Sequence, residues 1–306
     1  MSRHPTFSIL LATVGRTTEV RKFLAALAAQ TNRSFELLAI DQNPDDRLKE
    51  LLDPYRGEFS IRHLRSDLGH SRAFNLGLAH VSGDVVAFPD DDCWYDPDLL
   101  DRVARVMQEH PGASGVTGRE IVEPGFTSGG RWDQGAGPVT RANVFRRAIS
   151  FTVFLRRAVA TAYQFDESLG VGAGTQWGAG EETDYLLSLI REGKQLWYDS
   201  SIAVWHQGRS GPYTDATCAK ARSYGMGMGR VLRKHDYSRL AVGRHVFRPA
   251  CGALLALLSA NPAKAKYHWS IFAGRAMGWR GAVEPLALRP RESERSLISM
   301  SGERLP

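Results

Sequence analysis

The chain has 306 residues, of which 43% are hydrophobic and 24% charged, and a net charge of +6. That is length enough for one domain of about 200 to 250 residues with an appendage, or for two, and no low-complexity tract or fixed repeat argues for a fibrous or solenoid chain. Three scattered cysteines, Cys93, Cys218 and Cys251, point to a reducing compartment without a disulfide frame, and the longest apolar run, "ACGALLALLSA" from Ala250 to Ala260, is too short to span a bilayer.

The N-terminal apolar run, Phe7 to Val14, is short and no small-residue cleavage pattern follows it, so a cytoplasmic protein is expected. "FSILLA" (Phe7 to Ala12) is continuous in the manner of a buried parallel strand. Thr17 then stands where it can cap a helix whose apolar positions, Val20, Phe23, Leu24 and Leu27, recur at helical spacing. "FELLAI" (Phe35 to Ile40) reads as a second strand, "IRHL" as a third, Ser71 to His80 as a helix and "VVAF" (Val85 to Phe88) as the fourth strand. Asp96 and Pro97 form an N-cap and N1 pair for "PDLLDRVARVMQEH". Strands alternating with helices predict a mostly parallel, Rossmann-like sheet covered on both faces, with ligands beyond the carboxyl ends of its strands. Polar residues cluster at those ends: Thr13 to Arg16, Asp41, and Asp90 to Asp92.

Farther on, Gly125 to Gly137 reads as a loop and "ISFTVFL" (Ile149 to Leu155) as a strand. Five glycines between Gly170 and Gly180, with Trp177 among them, make a lid candidate. The helix "EETDYLLSLIREG" follows, stopped by Gly193, and "LWYD" and "IAVW" read as a closing pair of strands ending at His206.

Three adjacent carboxylates at a strand end, "FPDDDCWYDPDLL", raise one another's proton affinity unless a cation sits among them, and Mg²⁺ or Mn²⁺ suits carboxylates shared with phosphate oxygens. A calcium loop of the helix-loop-helix type is excluded, since Tyr95 occupies the position that requires glycine. "GHSRA" lacks the final glycine of a nucleophile elbow, and neither a P-loop nor a dinucleotide fingerprint follows the first strand.

The segment resembles the D-x-D element of family 2 glycosyltransferases, with Asp90 and Asp92 as its pair. Four more elements occur in that family's order: "LLATVGR", "LLAIDQNPDD", "LGHSRAFNLGLAHVSGD" and "WGAGEETDYLLSLIREG". The resemblance covers roughly residues 5 to 206 and implies a GT-A fold that moves a sugar from a nucleotide-sugar donor to a glycan or lipid-linked acceptor, with inversion and a divalent metal. It implies donor-binding roles for Thr13, Arg16, Asp41, Arg72, Asn75, Asp90, Asp91, Trp177 and Glu181, and metal-binding roles for Asp92 and His206. It makes Glu182 the catalytic base, although the family commonly has aspartate there, and Asp184 its rival. Each assignment has a plainer counterpart: a helix-dipole role for Glu181 and Glu182, a surface position for Arg72, core packing for Trp177, a structural histidine at His206. A nucleotidyltransferase and a non-catalytic protein retaining the fold are the alternative functions.

Residues 1–215 are thus expected to form the catalytic domain and residues 216–306 a helical basic extension. Between Ala219 and Gly281 twelve basic residues face one acidic residue, Asp236, so the chain's positive charge resides there. Lys and Arg beside Leu, Trp and Phe suit an anionic membrane surface on the inner leaflet; a solvated helical cap is the alternative. No nucleic-acid motif accompanies the charge, and no nucleic-acid partner is expected.

Overall fold

Continuous apolar runs with no polar interruption have nowhere to sit but inside, and β1 (Phe7–Thr13) and β2 (Phe35–Asp41) are buried along their whole length. The computed structural model describes residues 6–128, 130–208 and 212–281. Helix α1 (Thr18–Ala28) buries the four predicted positions, Val20, Phe23, Leu24 and Leu27. Thr17 is its N-cap through the backbone alone, accepting from the Arg21 amide, while its hydroxyl makes no cap bond.

After β2 come α2 (Arg47–Leu52), β3 (Ser60–Arg65), α3 (His70–Leu78) and β4 (Val85–Ala87). Strands β3, β2, β1 and β4 lie side by side, all parallel, as the alternation predicts. Side chains alternate across this sheet. Ile9 and Leu11 face α1, whereas Leu10 joins Leu38, Ile40 and the α3 residues Phe74 and Leu78 in a second cluster.

The second half departs from the sequence reading in three places. Beyond β5 (Cys93–Trp94), helix α4 (Leu99–Glu109) starts two residues later than Asp96 and Pro97 imply. The Asp96 carboxylate is taken by Arg102 and by the Trp205 indole, so it cannot cap. The run β6 (Gly115–Val122), β7 (Ala136–Val139), α5 (Val144–Arg147), β8 (Val153–Arg156), α6 (Arg157–Ala160) follows. Ser150–Thr152 forms a 3-10 turn rather than the start of a strand, and β8 begins only at Val153. After α7 (Glu181–Arg191), the two expected strands are one, β9 (Leu196–His206), whose pairing with β6 shifts register between Thr117 and Arg119. A bulge absorbs the polar "DSS" that reads as a turn.

The described residues close with three helices, α8 (Asp215–Lys234), α9 (Arg239–Leu258) and α10 (Pro262–Arg280). α8 and α10 cross backbone to backbone: a Cβ on Gly229 would strike the Arg275 carbonyl, and one on Gly278 the Met226 carbonyl. α8 also lies on the sheet domain, with Val231 in the second core cluster and Gly227 against Ala179.

Candidate functional site

Register brings the predicted clusters to one rim. Thr13 and Asp41 are Cα partners at the carboxyl ends of β1 and β2, and the aspartate triplet follows β4 on the other side of β1. The short β5 then pairs antiparallel with the end of β9, matching Cys93 to His206. That pairing sets Asp92, one residue earlier, against the His206 imidazole.

Each acid of the triplet is partnered, and Arg16 is shared between two of them. Asp90 accepts from the Ser150 hydroxyl at 2.9 Å, which explains why the chain turns at Ser150 instead of running straight into β8. Asp91 accepts from the Thr13 hydroxyl at 2.7 Å and the Arg16 guanidinium at 2.8 Å. Asp92 lies 2.5 Å from Arg16 and 3.1 Å from His206 Nε2. Burial pushes Asp90 up to about 6, with the Asp92 charge adding to it against His70. For Asp92 burial is outweighed by His206 and Arg16, which hold it at about 2. The mutual repulsion is thus relieved unevenly, by two cationic side chains at one end and by a raised proton affinity at the other.

His206 is fixed on three sides. Asp92 meets Nε2, Glu120 meets Nδ1 at 3.0 Å, and the Phe151 ring stacks parallel to the imidazole with centroids 4.7 Å apart. Burial works to lower its pKa, but the two carboxylates raise it to about 10. One ligand atom each from Asp90, Asp92 and His206 fall within 4.8 Å of one another. Once the His206 Nε2 proton is displaced, two carboxylates and an imidazole held by a further carboxylate would suit a Mn²⁺-like or Mg²⁺-like ion, the nitrogen favouring the former.

The start of α7 supplies the second acidic pair. Gly180, at φ +98°, turns the chain into the helix. Glu181 Oε1 lies 2.8 Å from His70 Nδ1, while Oε2 is buried with no hydrogen-bond partner among the described residues. Gly170 packs so closely on this carboxyl that a Cβ there would lie 2.9 Å from Glu181 Cδ. Burial, then the Glu181 charge, push Glu182 up to about 7. Glu182 and Ser150 line one narrow apolar recess with Phe74, Phe88, Phe165 and Tyr185. Since Ser150 also bonds Asp90, that recess joins the two acidic clusters.

The remaining sequence-predicted residues are held by partners of their own. Asp184 is buried and bonded to Lys234 Nζ and His235 Nε2, both at 2.8 Å, so it faces α8. Asp41 is fully buried, accepting from Asn43, bonded to His63 and ion-paired with Arg65. Arg72 pairs with Glu167 at 3.3 Å. Asn75 clasps the backbone of Phe165 from both sides. Trp177 carries the Arg230 guanidinium of α8 over its ring, 3.7 Å from the centroid.

Four participants escaped the sequence reading: His70, Glu120, Ser150 and Tyr224. For His70, burial lowers the pKa but Glu181 more than compensates, raising it to about 9. Burial lifts the Tyr224 phenol to about 12, and the charges of Glu181, Asp90 and Asp92 add to the lift; its ring packs beside Gly178 in the glycine-rich segment. A carboxylate in the strand "GVTGREIV" was the one available signal for Glu120.

Comparison with known proteins agrees with this geometry. Residues 8–162 match the family described as "Glycosyl transferase family 2". An uncharacterized glycosyltransferase of Haemophilus influenzae is 24% identical over 277 residues, 87% of this chain and 89% of the relative. Among solved structures, S. aureus TarS 1-349 in complex with UDP-GlcNAc superposes with a TM-score of 0.57 at 17% identity, covering 89% of this chain and 92% of that one. The mannosyltransferase PcManGT from Pyrobaculum calidifontis, in complex with GDP-Man and Mn²⁺, gives 0.57 at 13% identity over 98% of this chain and 80% of its own. These likenesses show the GT-A fold. With β1 to β4 paired in parallel, an acidic rim at the carboxyl ends of those strands and the family match over half of its length, the chain belongs to glycosyl transferase family 2.

Proposed function

We propose that the protein transfers a sugar from a nucleotide-sugar donor to an acceptor hydroxyl, with inversion and with a divalent cation at Asp90, Asp92 and His206. The observation that carries this reading is the pairing of two unlike acidic clusters through Ser150: one suited to a cation, one with a carboxyl near neutrality. The donors held by the two solved structures of the same fold, UDP-GlcNAc and GDP-Man with Mn²⁺, support it.

Asp90, Asp92 and His206 would hold such a cation, which would supply positive charge for the diphosphate and its leaving oxygen. Thr13 and Arg16, already turned to the triplet, hold the nucleotide side of the donor, and Asp41 orders the loop beneath it through Asn43 and His63. Glu181 Oε2, an acceptor without a partner among the described residues, takes a donor sugar hydroxyl, while protonated His70 holds Oε1. Glu182 removes the acceptor proton as the acceptor oxygen bonds to the anomeric carbon; the bond from that carbon to the phosphate oxygen breaks and the diphosphate leaves with its electron pair. Glu182 is preferred to Asp184 because the latter is tied to two basic groups. The acceptor is a glycan or a lipid-linked sugar.

Thermal-shift measurement with a panel of nucleoside diphosphates, with and without Mn²⁺, tests the reading. One nucleotide is expected to raise Tm only when metal is present, and Asp92→Ala is expected to abolish the shift. No shift with any nucleotide would favour a non-catalytic protein that keeps the fold.

A further inference from the structure

A helix packed on a protein normally turns its large apolar side chains inward. α9 does the reverse. Its inner face is built from small residues, Val242, Val246, Ala253 and Ala256, all buried against their neighbours. Its outer face carries Leu240, Phe247, Leu254, Leu255 and Leu258, and Leu240 and Leu258 are 87% and 76% exposed. These positions recur at helical spacing, so they form a single stripe along about 30 Å of helix. Trp269 of α10 is likewise exposed. Isolated exposed leucines need no explanation, but a contiguous stripe of this size does.

The charge around the stripe is of one sign. From Arg239 to Arg280 there are seven basic residues and no acidic one. Arg244 and Arg248 lie on the exposed face of α9, and Lys264 and Lys266 at the start of α10, with Lys266 tied to Asp215 of α8. The local excess of cations is felt by His245, which burial and then Arg275, Arg244 and Arg248 push down to about 4.

We propose that this face of α9, with the start of α10, docks the enzyme flat on an anionic phospholipid bilayer. No helix among the described residues is long and apolar enough to cross a membrane, so the contact is interfacial. A bilayer interface alone presents anionic head groups and apolar chains within the depth of one helix radius, which is what leucines interleaved with arginines require. A second copy of the chain fits poorly, because a twofold contact would set this all-cationic face against itself. The inference goes beyond the glycosyl-transfer reading and does not depend on it.

Sedimentation of the full-length protein with vesicles tests it directly. Vesicles of phosphatidylcholine alone are compared with vesicles in which a third of that lipid is replaced by phosphatidylglycerol. Binding is expected to the anionic vesicles, to fall as salt is raised, and to weaken at least about tenfold in Leu255→Glu with Leu258→Glu and, separately, in Arg244→Glu with Arg248→Glu. All four positions are exposed, so both variants should keep the wild-type circular dichroism and melting profile. Absence of vesicle binding overturns the proposal, as does equal binding to neutral vesicles or anionic binding that survives the leucine substitutions. A wild-type dimer in gel filtration that the leucine variant dissolves, without vesicle binding, would assign the face to self-association and overturn it too.

Discussion

Two carboxylates of this site are driven in opposite directions by their surroundings, and the direction assigns the work. Asp92, between His206 and Arg16, is an anion over the whole working range and is fitted to hold a cation. Glu182 is half-buried beside Glu181 among aromatic rings, with a pKa near 7, where proton transfer to a carboxylate is most effective. Glu182→Gln is therefore expected to lower kcat by about 10² to 10⁴-fold while leaving metal-dependent nucleotide binding in place. The pH profile carries the sign: the base must be ionised, so kcat/KM rises with pH and levels off above about 7, and that limb disappears in the glutamine variant. A profile already flat well below 7 would remove Glu182 from the role. The same shift acts oppositely on stability, since a carboxyl raised from 4.5 to about 7 favours the fold most at low pH and loses that contribution as pH rises through 7.

At the scale of elements, what was legible in the sequence was local and what was missed was assembled from afar. β1, β2 and β4 announce themselves by uninterrupted apolar runs, and the triplet is found because it directly follows one of them. His206 was placed at a strand end, but its neighbour Glu120 comes from another strand, and only the β6 to β9 register brings them together. Ser150 was read as part of a strand because "ISFTVFL" has strand composition; a single hydrogen bond to Asp90 overrides that propensity. A comparable device holds the other end of the sheet. Glu36 Oε1 accepts from the Ser8 hydroxyl and from the amide and hydroxyl of Ser82, stapling β1 and β2 to the loop before β4. Burial opposes its ionisation, but these bonds prevail and lower its pKa below 4.5. Its stabilising effect is present above that value and lost as pH falls through the folded pKa. Glu36→Ala is expected to cost about 1 to 3 kcal/mol at neutral pH by orphaning the buried partners, read as a lower denaturant midpoint, with a difference from wild type that shrinks on acidification. Between helices, the α8 and α10 crossing leaves no room for a methyl group. Gly278→Val should therefore destabilise the C-terminal helices by about 1 to 3 kcal/mol or more, visible as faster proteolysis after Lys234 or Arg239.

Over the whole molecule, α8 joins the acidic rim to the basic face. Its Tyr224 and Arg230 reach the glycine-rich segment that leads into Glu181 and Glu182, its glycines receive α10, and its C-terminal end is anchored by Lys234. That ammonium lies 2.8 Å from both Asp166 and Asp184 and is only 10% exposed. Asp184 stands two residues from Glu182 on α7, so the anchor fixes the C-terminal helices against the helix that carries the proposed base. Removing one member of a buried ionic cluster leaves its counter-charges uncompensated, which costs about 3 to 5 kcal/mol. For a chain of this size Lys234→Met should then lower Tm by roughly 10 °C. Adding Asp184→Asn to Lys234→Met removes one stranded charge and should recover part of that loss, since the two substitutions act on one contact and cannot be additive. A double variant that melts at the sum of the two single losses would show that Lys234 and Asp184 are energetically independent, and with that the mechanical link from α8 to Glu182 would fall.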